Sequence, residues 1–514
     1  MLPTFFGLEL AVRALETQQA AINVSGHNMA NANATGYTRQ ITDMKATIPF
    51  TLQYYGKDLS IGTGVNVAHI ERARDVFVDR QYRLESSKQQ YWLSRQDLLG
   101  KVEGIFNESS EFSISGDLEK FWTAWSDLAT NPENSGARSV VKGRALALTD
   151  TFHYLAQQIE DKKTAVNDNV IAQIDQINLY AQQITDLSNQ IKNAQVTGDF
   201  PNDLLDKRDN LVDELSKIAN IKVIEQSDPR FPDRMVSIYT LVIGDDTVLP
   251  QQVLVCDREV NLLKAVADPV TGFATVAWKD NGVPVALGSQ KGLLQANLEV
   301  RDVYLKDMEN ELNTIAQGIA DAVNALHQTG QGLLVEAVGL NFFTDGSGTT
   351  TPPALPLITA ANISFNPDLA ADVRRISTGA IDDGSGEVKS GDATVANAIA
   401  SLGDGWAALK DLIAAGAFGA PGKTPLESTS ISDYYNAFIA RVGVDVQTAT
   451  RMAESQEMLV YQLTLQREAV SGVNLDEEMT NLIKFQKSYT AAARLVTMFD
   501  DMLETVVKGM GITR

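Results

Sequence analysis

The sequence feature that most constrains this chain is an apolar repeat of seven residues over residues 475–510. Two positions of each heptad, three residues apart, carry apolar side chains. The first position holds Leu475, Leu482, Tyr489, Val496, Leu503 and Met510, and the second holds Phe485, Ala492, Phe499 and Val506. Such a repeat is typical of a helix that packs in a coiled coil or bundle. It predicts a long C-terminal helix whose apolar seam needs a partner.

A second apolar repeat lies at the other end of the chain. Residues 4–33 predict an amphipathic helix in which every seventh residue is apolar, namely Leu8, Leu15, Ile22 and Met29. Gly36, which follows Asn31 and Asn33, ends this pattern. Because each terminal helix needs an apolar partner, we expect the two to pair, and we expect their apolar positions to form an assembly interface. The pattern leaves open whether Leu482 packs within its own chain or against a neighbouring copy.

The central part of the chain alternates between helical and extended patterns. Residues 47–67 look extended, whereas helical composition runs over residues 70–219 with a break at 198–201. The helical part contains an apolar ladder at Val170, Ile177, Ile184 and Ile191 and a partner ladder at Tyr180, Leu187 and Ala194. Residues 221–287 are rich in β-branched side chains and predict a small β domain with a type I′ turn at Asn281-Gly282. Helix returns at 290–328.

These patterns predict a mainly α fold with β insertions. Paired N- and C-terminal segments form a long helical bundle or coiled coil, and β-rich modules are inserted between them. We expect a terminal coiled-coil domain from 1–45 and 471–514. The predicted helical shaft domain comprises 46–220, 288–330 and 431–470, with a small β insert at 221–287 and a mixed, loop-rich insert at 331–430.

The charge balance excludes several classes of partner. The chain has 514 residues, 43 Lys and Arg against 65 Asp and Glu, and a net charge of −22. Binding to a phosphate backbone or an anionic membrane needs clustered cations, so we expect neither nucleic acid nor membrane as a partner. No segment reaches the roughly 20 apolar residues of a membrane span. Since Met1-Leu2-Pro3 lacks a basic region, we expect a cytoplasmic chain or one that leaves the cell without a cleaved leader.

Candidate catalytic and metal-binding motifs fail on spacing. The glycine-rich stretch at 416–424 has Ala417 where a phosphate-binding loop needs its first glycine, so a surface loop is the better interpretation. The acidic turns at 345–348 and 382–387 do not match a calcium loop. The four histidines lie in separate contexts, and Cys256 is expected to be a small buried residue of a strand. We therefore expect no enzyme activity, no cofactor and no metal.

Several motifs resemble those of bacterial flagellar axial proteins. Residues 28–40, which contain Asn28, Asn31, Gly36 and Tyr37, are similar to the signature that follows the first helix of rod, hook and hook-associated proteins. Segments 61–65 and 70–75 continue the likeness. Four further segments resemble the hook-associated protein 1 family in particular: 127–132 with Arg138, 202–209, 322–324 with His327, and 470–494.

The resemblance implies a structural protein of the flagellum that joins hook to filament as a short ring-like segment. It implies secretion by the flagellar type III export apparatus, with an export chaperone, and as partners further copies of the chain, the hook protein and the second junction protein. Asn28, Asn31, Gly36 and Tyr37 would form a turn that also reaches a neighbouring subunit. Two alternatives stay open: another axial subunit, such as a hook protein or the second junction protein, and a coiled-coil surface protein or adhesin.

Overall fold

A computed structural model describes residues 6–54, 57–106, 113–232, 236–244, 251–334, 336–347, 358–381, 391–405 and 430–510. The glycine-rich stretch at 416–424 and the acidic turn at 382–387 lie outside these residues. The fold is mainly helical, with strands in small antiparallel sheets. None of the described helices is long and apolar enough to cross a membrane.

The two ends of the chain form an antiparallel helix pair. Helix α1 spans Phe6–Ala30, and the C-terminal helix, α11, spans Leu475–Met510. The two helices pack along each other. The ring of Phe499 lies so close to Gly7 that a Cβ atom there would meet it at 2.4 Å. The start of α1 therefore faces the C-terminal half of α11, and the predicted pairing of the two ends is confirmed.

Two antiparallel β-ribbons follow α1. Strands β1 (Gln40–Ala46) and β4 (Val65–Arg72) pair from Gln40 opposite Arg72, with an irregularity after Asp43. Between them, β2 (Phe50–Tyr54) and β3 (Lys57–Ile61) form a hairpin. The first ribbon packs against α1, and the Thr17 hydroxyl donates to the backbone oxygen of Val65 at 3.2 Å. The extended pattern at 47–67 is thus confirmed as strands.

Long helices build the shaft. They are α2 (Val76–Glu103), α3 (Ile114–Thr130), α4 (Ser135–Thr197), α5 (Asn202–Ile218) and, near the end of the chain, α10 (Ile431–Ser471). Along α4 the first apolar ladder is buried throughout, as predicted. The predicted partner ladder, Tyr180, Leu187 and Ala194, is only half-buried, whereas Ile174, Ala181 and Ser188 beside the first ladder are buried. Flanking helix and sheet cover a wider stripe than a two-position coiled-coil seam would.

The β insert is a four-stranded antiparallel sheet with an added hairpin. The sheet order is β5 (Ile221–Ser227), β6 (Ser237–Ile243), β7 (Val253–Cys256) and β8 (Glu259–Val260), and the hairpin is β9 (Leu263–Ala267) with β10 (Ala274–Trp278). Buried residues of the sheet, such as Leu241 and Leu254, share one core with α4 and α5.

Two details of this insert differ from the prediction. A type I′ turn needs positive φ at both central residues, but only Gly282 of the Asn281-Gly282 pair has one (70°). The Gly282 N–H donates to the Trp278 oxygen, which makes a longer loop. Cys256 is exposed rather than buried, since it ends β7 while Leu254 and Val255 occupy the core.

The chain then returns to the shaft and forms the second module. Helix α6 (Leu293–Glu299), a π-helical turn (Val300–Tyr304) and α7 (Leu305–Gln328) confirm the predicted helix at 290–328. The second module contains β11 (Gly330–Gln331), β12 (Phe343–Thr344), β13 (Ser364–Phe365), α8 (Pro367–Ala371), β14 (Gly379–Ala380), α9 (Thr394–Ala400) and 3₁₀ turns at Val373–Arg375 and Ser401–Gly403. Its buried residues belong to the same core as α3, α4 and α7. The division of the chain into four domains stays a prediction.

Candidate functional site: the terminal helix pair and its polar base

The predicted apolar seam is only partly covered within one chain. On α1, the four predicted positions Leu8, Leu15, Ile22 and Met29 are half-buried. On α11, five predicted positions are half-buried (Leu482, Phe485, Val496, Phe499 and Leu503), three are exposed (Leu475, Tyr489 and Val506), and the Met510 side chain lies outside the described part. The best-covered apolar residues are smaller ones, such as Ala11, Ala21 and Ala492. The heptad pattern of α11 had included Ala492, whereas the seven-residue spacing on α1 missed Ala11 and Ala21.

Helix α11 carries further apolar side chains that the described part of the chain covers only in part. They lie on both flanks of the seam and are between 40% and 69% exposed: Met479, Ile483, Leu495, Met498, Met502 and Val507. A soluble monomer rarely leaves so many apolar side chains of one helix in water. We call this set the α11 flank.

The signature turn closes the base of the pair. The Asn28 side chain is buried, and its amide donates to the Gln40 oxygen at 2.9 Å while its oxygen accepts the Gln40 N–H at 2.9 Å. The Tyr37 hydroxyl donates to the Asn28 side-chain oxygen as well, at 2.8 Å. The Asn31 amide donates to the His27 backbone oxygen at 3.0 Å. Asn28 thus pairs with the first residue of β1 as a neighbouring strand would.

Two residues of the turn dock onto α5. Gly36 has φ +75°, and a Cβ atom there would meet the Asn210 side chain at 2.1 Å. Glycine is therefore required both by backbone conformation and by space. The Thr38 N–H donates to Asp206 Oδ2 at 3.0 Å. The signature turn and the 202–209 motif, which are far apart in sequence, are in direct contact.

Beneath the turn lies a cluster of charged side chains that joins α2, α5, α10 and the end of β4. We call it the polar hub, and its members are Arg72, Arg74, Asp79, Arg83, Asp206, Asp209, Asp213 and Arg467. Asp209 is at its centre: Arg72 donates to Oδ2 at 2.7 Å, Arg74 donates to the same oxygen, and Arg83 reaches Oδ1 at 3.3 Å.

The outer carboxylates of the hub reach a further helix. Arg467 on α10 pairs with Asp213 at 2.7 Å and with Asp79 at 3.1 Å. Arg83 donates to Asp213 at 2.6 Å. Because Asp79 and Asp213 each pair with Arg467 and with an arginine near the start of the chain, the hub ties together elements from opposite ends of the sequence.

The charges in the hub set the protonation of Asp209. Burial opposes ionisation of this carboxyl, but the guanidinium groups, Arg74 first and Arg72 next, outweigh it and hold the pKa of Asp209 well below its usual range. For Tyr37, burial and then the negative charges of Asp203 and Asp206 raise the pKa of the phenol. The hydroxyl therefore stays protonated at neutral pH and donates a hydrogen bond to the Asn28 side-chain oxygen.

Three residues of the family-like motifs fasten the second module instead of the termini. Arg138 is fully buried and donates to the Pro132 oxygen at 2.8 Å, to the Ile376 oxygen and to the Thr378 hydroxyl at 3.0 Å. Burial lowers its pKa to about 10. Asn324 accepts the backbone N–H groups of Phe342 and Phe343.

His327 completes this fastening. Its Nδ1 lies 2.6 Å from the Leu340 oxygen, and its Nε2 accepts the Ser377 N–H at 2.9 Å. With Nδ1 protonated, the neutral ring satisfies both neighbours. Burial lowers the pKa of His327 to about 4, because a second proton would charge a fully buried ring.

The described residues show no metal centre. Nowhere in the described ranges do three His, Cys, Asp or Glu side chains come together as metal ligands. The hub is instead a set of paired opposite charges, whose chemistry is to hold helices together.

Three regions of the chain match models of flagellar protein families. Residues 99–343 match the model described as the flagellar hook-associated protein FlgK helical domain. Residues 8–38 match the flagella basal body rod protein model, and residues 466–508 match the C-terminal model of the flagellar basal body rod FlgEFG proteins. The two rod models thus cover most of the terminal helix pair and the signature turn.

Whole-length relatives decide the family. Flagellar hook-associated protein 1 of Bacillus subtilis is 30% identical over all of this chain and 99% of the relative. The protein of the same name from Escherichia coli is 28% identical over 97% of this chain and 98% of its own length. The chain belongs to the flagellar hook-associated protein 1 family. The resemblance found in the motifs is confirmed, and the protein is a structural component of the flagellum.

The fold agrees with this assignment. The structure of the flagellar hook junction protein FlgK from Burkholderia pseudomallei superposes with a TM-score of 0.57, covering 76% of this chain and all of that one, at 16% sequence identity. The match of the FlgK helical-domain model also runs through 221–287, a segment that contains none of the motifs on which the resemblance was based.

Proposed function

We propose that this hook-associated protein 1 joins hook to filament and assembles there as a short ring-like segment. Its full-length likeness to hook-associated proteins 1 and the fold it shares with the hook junction protein of Burkholderia pseudomallei support the junction role. The observation that carries the assembly role is the α11 flank, an apolar surface that the described part of the chain leaves in water.

The exposed apolar area of the flank is suited to contacts that are weak when one is made alone and strong when many are made together in a closed ring. Covering the exposed half of its six side chains is worth about 1 kcal/mol each. Association of two bodies costs roughly 4–15 kcal/mol, so one such contact alone binds poorly. In a closed ring each subunit covers both sides of α11 against two neighbours, whereas a dimer formed through one side would leave the other side exposed.

We also propose a route of secretion for this chain and the proteins that it contacts. The chain would leave through the flagellar type III export apparatus with an export chaperone, and it would contact the hook protein on one side and the second junction protein on the other. The only cysteine in the sequence is Cys256, so the chain needs no internal disulfide to fold outside the cell.

The test is capping of isolated hook fragments, imaged by electron microscopy. The unaltered protein should add a short cap of density at one hook end without growing tubes. Long tubes would instead point to a tube-forming axial subunit, and absence of binding would overturn the junction role.

Matched variants locate the interface. Met498→Asp places a charge on the exposed flank, whereas Leu482→Asp and Val496→Asp place one in the half-buried seam. All three should abolish capping while the β insert stays folded by circular dichroism. Thr480→Asp, at an exposed polar position of the same helix, is the control and should still cap. Normal capping by Met498→Asp would show that the flank is not the assembly surface.

A further inference from the structure

The first layer of the terminal pair is polar where the rest of the seam is apolar. Glu478 precedes Phe485, Ala492, Phe499 and Val506 at the same heptad position. It is only 2% exposed, although its side chain is a carboxylate. A buried carboxylate in an apolar seam is costly unless a cation meets it.

Arg39 is the cation that meets Glu478. Its Nε donates to Glu478 Oε1 at 2.8 Å, and its Nη1 donates to the more exposed Glu477 at 3.1 Å. The backbone N–H of Arg39 donates to the Ser471 oxygen at 2.9 Å, just before α11 begins. Arg39 is therefore held to the base of α11 by its side chain and to the last residue of α10 by its main chain.

The next residue along the chain holds the other helix. The backbone of Gln40 makes both of its hydrogen bonds with the buried Asn28 side chain of α1. Phe499 lies against Gly7. Glu478 lies three heptads before Phe499 on α11, and Asn28 lies three heptads after Gly7 on α1. Because the helices are antiparallel, the two buried polar side chains lie at the same level of the pair.

We propose that Asn28, Arg39, Gln40 and Glu478 form a register clamp that fixes α1 and α11 against each other lengthwise. An apolar heptad seam matches itself again after a shift of seven residues, so the seam alone specifies register weakly. Sliding either helix takes Glu478 away from Arg39 or Asn28 away from Gln40. A shifted pair would bury an unpaired carboxylate or amide, and this cost selects one register.

The clamp acts inside one chain and goes beyond the proposed hook–filament role, so its test needs no hook. Disulfide trapping in dilute full-length protein reads the register directly, in a Cys256→Ser background because that thiol is exposed. Gly7→Cys with Phe499→Cys reports the native register. Gly7→Cys with Ala492→Cys, and Phe499→Ala to make room, reports a shift of one heptad.

Asn28→Leu combined with Glu478→Leu removes the polar layer and extends the apolar seam. The ratio of native to shifted crosslink should fall at least tenfold, with the helix content unchanged. Glu477→Leu, a matched change at the more exposed neighbour, should leave the ratio unchanged. The charge exchange Arg39→Glu with Glu478→Arg should keep the native ratio. An unchanged ratio in the double variant, or equal loss of both crosslinks, would overturn the clamp.

Discussion

Replacing Asp209 by asparagine removes one negative charge from the centre of the polar hub while keeping the shape of the side chain. Arg72 and Arg74 both donate to its Oδ2, and Arg83 reaches Oδ1. Asparagine retains one oxygen for these donors but no longer balances their charges. Three mutually repelling guanidinium groups would then share only the outer carboxylates of the hub.

The expected cost follows from the burial of the group. Removing one partner of a buried ion pair costs about 3–5 kcal/mol, because a charge is left without compensation. Since asparagine still accepts hydrogen bonds, we expect the lower end, about 3 kcal/mol for Asp209→Asn, and about 5 kcal/mol for Asp209→Ala. At about 1.4 kcal/mol per factor of ten, the first corresponds to a roughly hundredfold change in an opening equilibrium.

Hydrogen exchange resolved by peptide is the suitable assay, because a chain of several modules does not unfold in a single step. Amides of α5 and of the adjoining part of α2 should exchange roughly a hundredfold faster in Asp209→Asn, whereas the second module should not change. Asp203→Asn makes the same chemical change at an exposed site on α5 and should cost less than about 1 kcal/mol. Less than a fivefold effect at Asp209 would refute the hub as the tie between these helices.

The hub also predicts the response to acid. The folded pKa of Asp209 lies below its unfolded value, so its contribution to stability is complete above about pH 4. The contribution is lost as the pH falls through the folded pKa. Asp209→Asn should therefore lack this part of the acid destabilisation, and an identical acid profile in the variant would contradict the assigned charge state.

Three further predictions concern single residues. His327 has a folded pKa of about 4 against about 6.5 unfolded, so roughly 3 kcal/mol of stability should be present above pH 6.5 and lost towards pH 4. The pH dependence of thermal unfolding should lack this loss in His327→Gln and keep it in His27→Gln, a change at a half-buried histidine of α1. Gly36→Ala should destabilise the base of the terminal pair by about 1–3 kcal/mol in hydrogen exchange, and Asn210→Gly should restore only the part due to the clash, since φ stays positive. Arg138→Lys keeps the charge but loses the fork of donors, so exchange at 376–378 should rise at least tenfold; an unchanged rate would show that the fork is dispensable.

Much of the fold could be predicted because its signals are local. The heptads predicted the terminal helices, the ladder along 170–191 predicted the buried face of α4, and Gly198 marked its end. Prediction failed where a neighbour decides the outcome. Cys256 was expected to be a buried strand residue, yet it ends its strand at the surface, and the predicted partner ladder of α4 is only half-buried.

The candidate site divides in the same way. The apolar residues of the seam were visible in the sequence, but their half-exposed state was not, since it depends on how much surface α1 and α11 bury between them. Asp209 and Glu478 lie inside family-like motifs, yet one sequence shows many carboxylates and gives no sign of which ones are buried. Their importance becomes visible only with the distance to an arginine.

The sequence by itself determined the periodic helices, the motifs and the family to which they belong, because these depend on residues within a few turns of one another. Only the tertiary structure decided that Arg39 meets Glu478 and that Asp209 meets Arg72, across most of the chain length and across more than a hundred residues respectively. The physical reason is desolvation. A charge has no preferred partner while it is in water, and it acquires partners when folding removes the water and leaves particular counter-charges within reach.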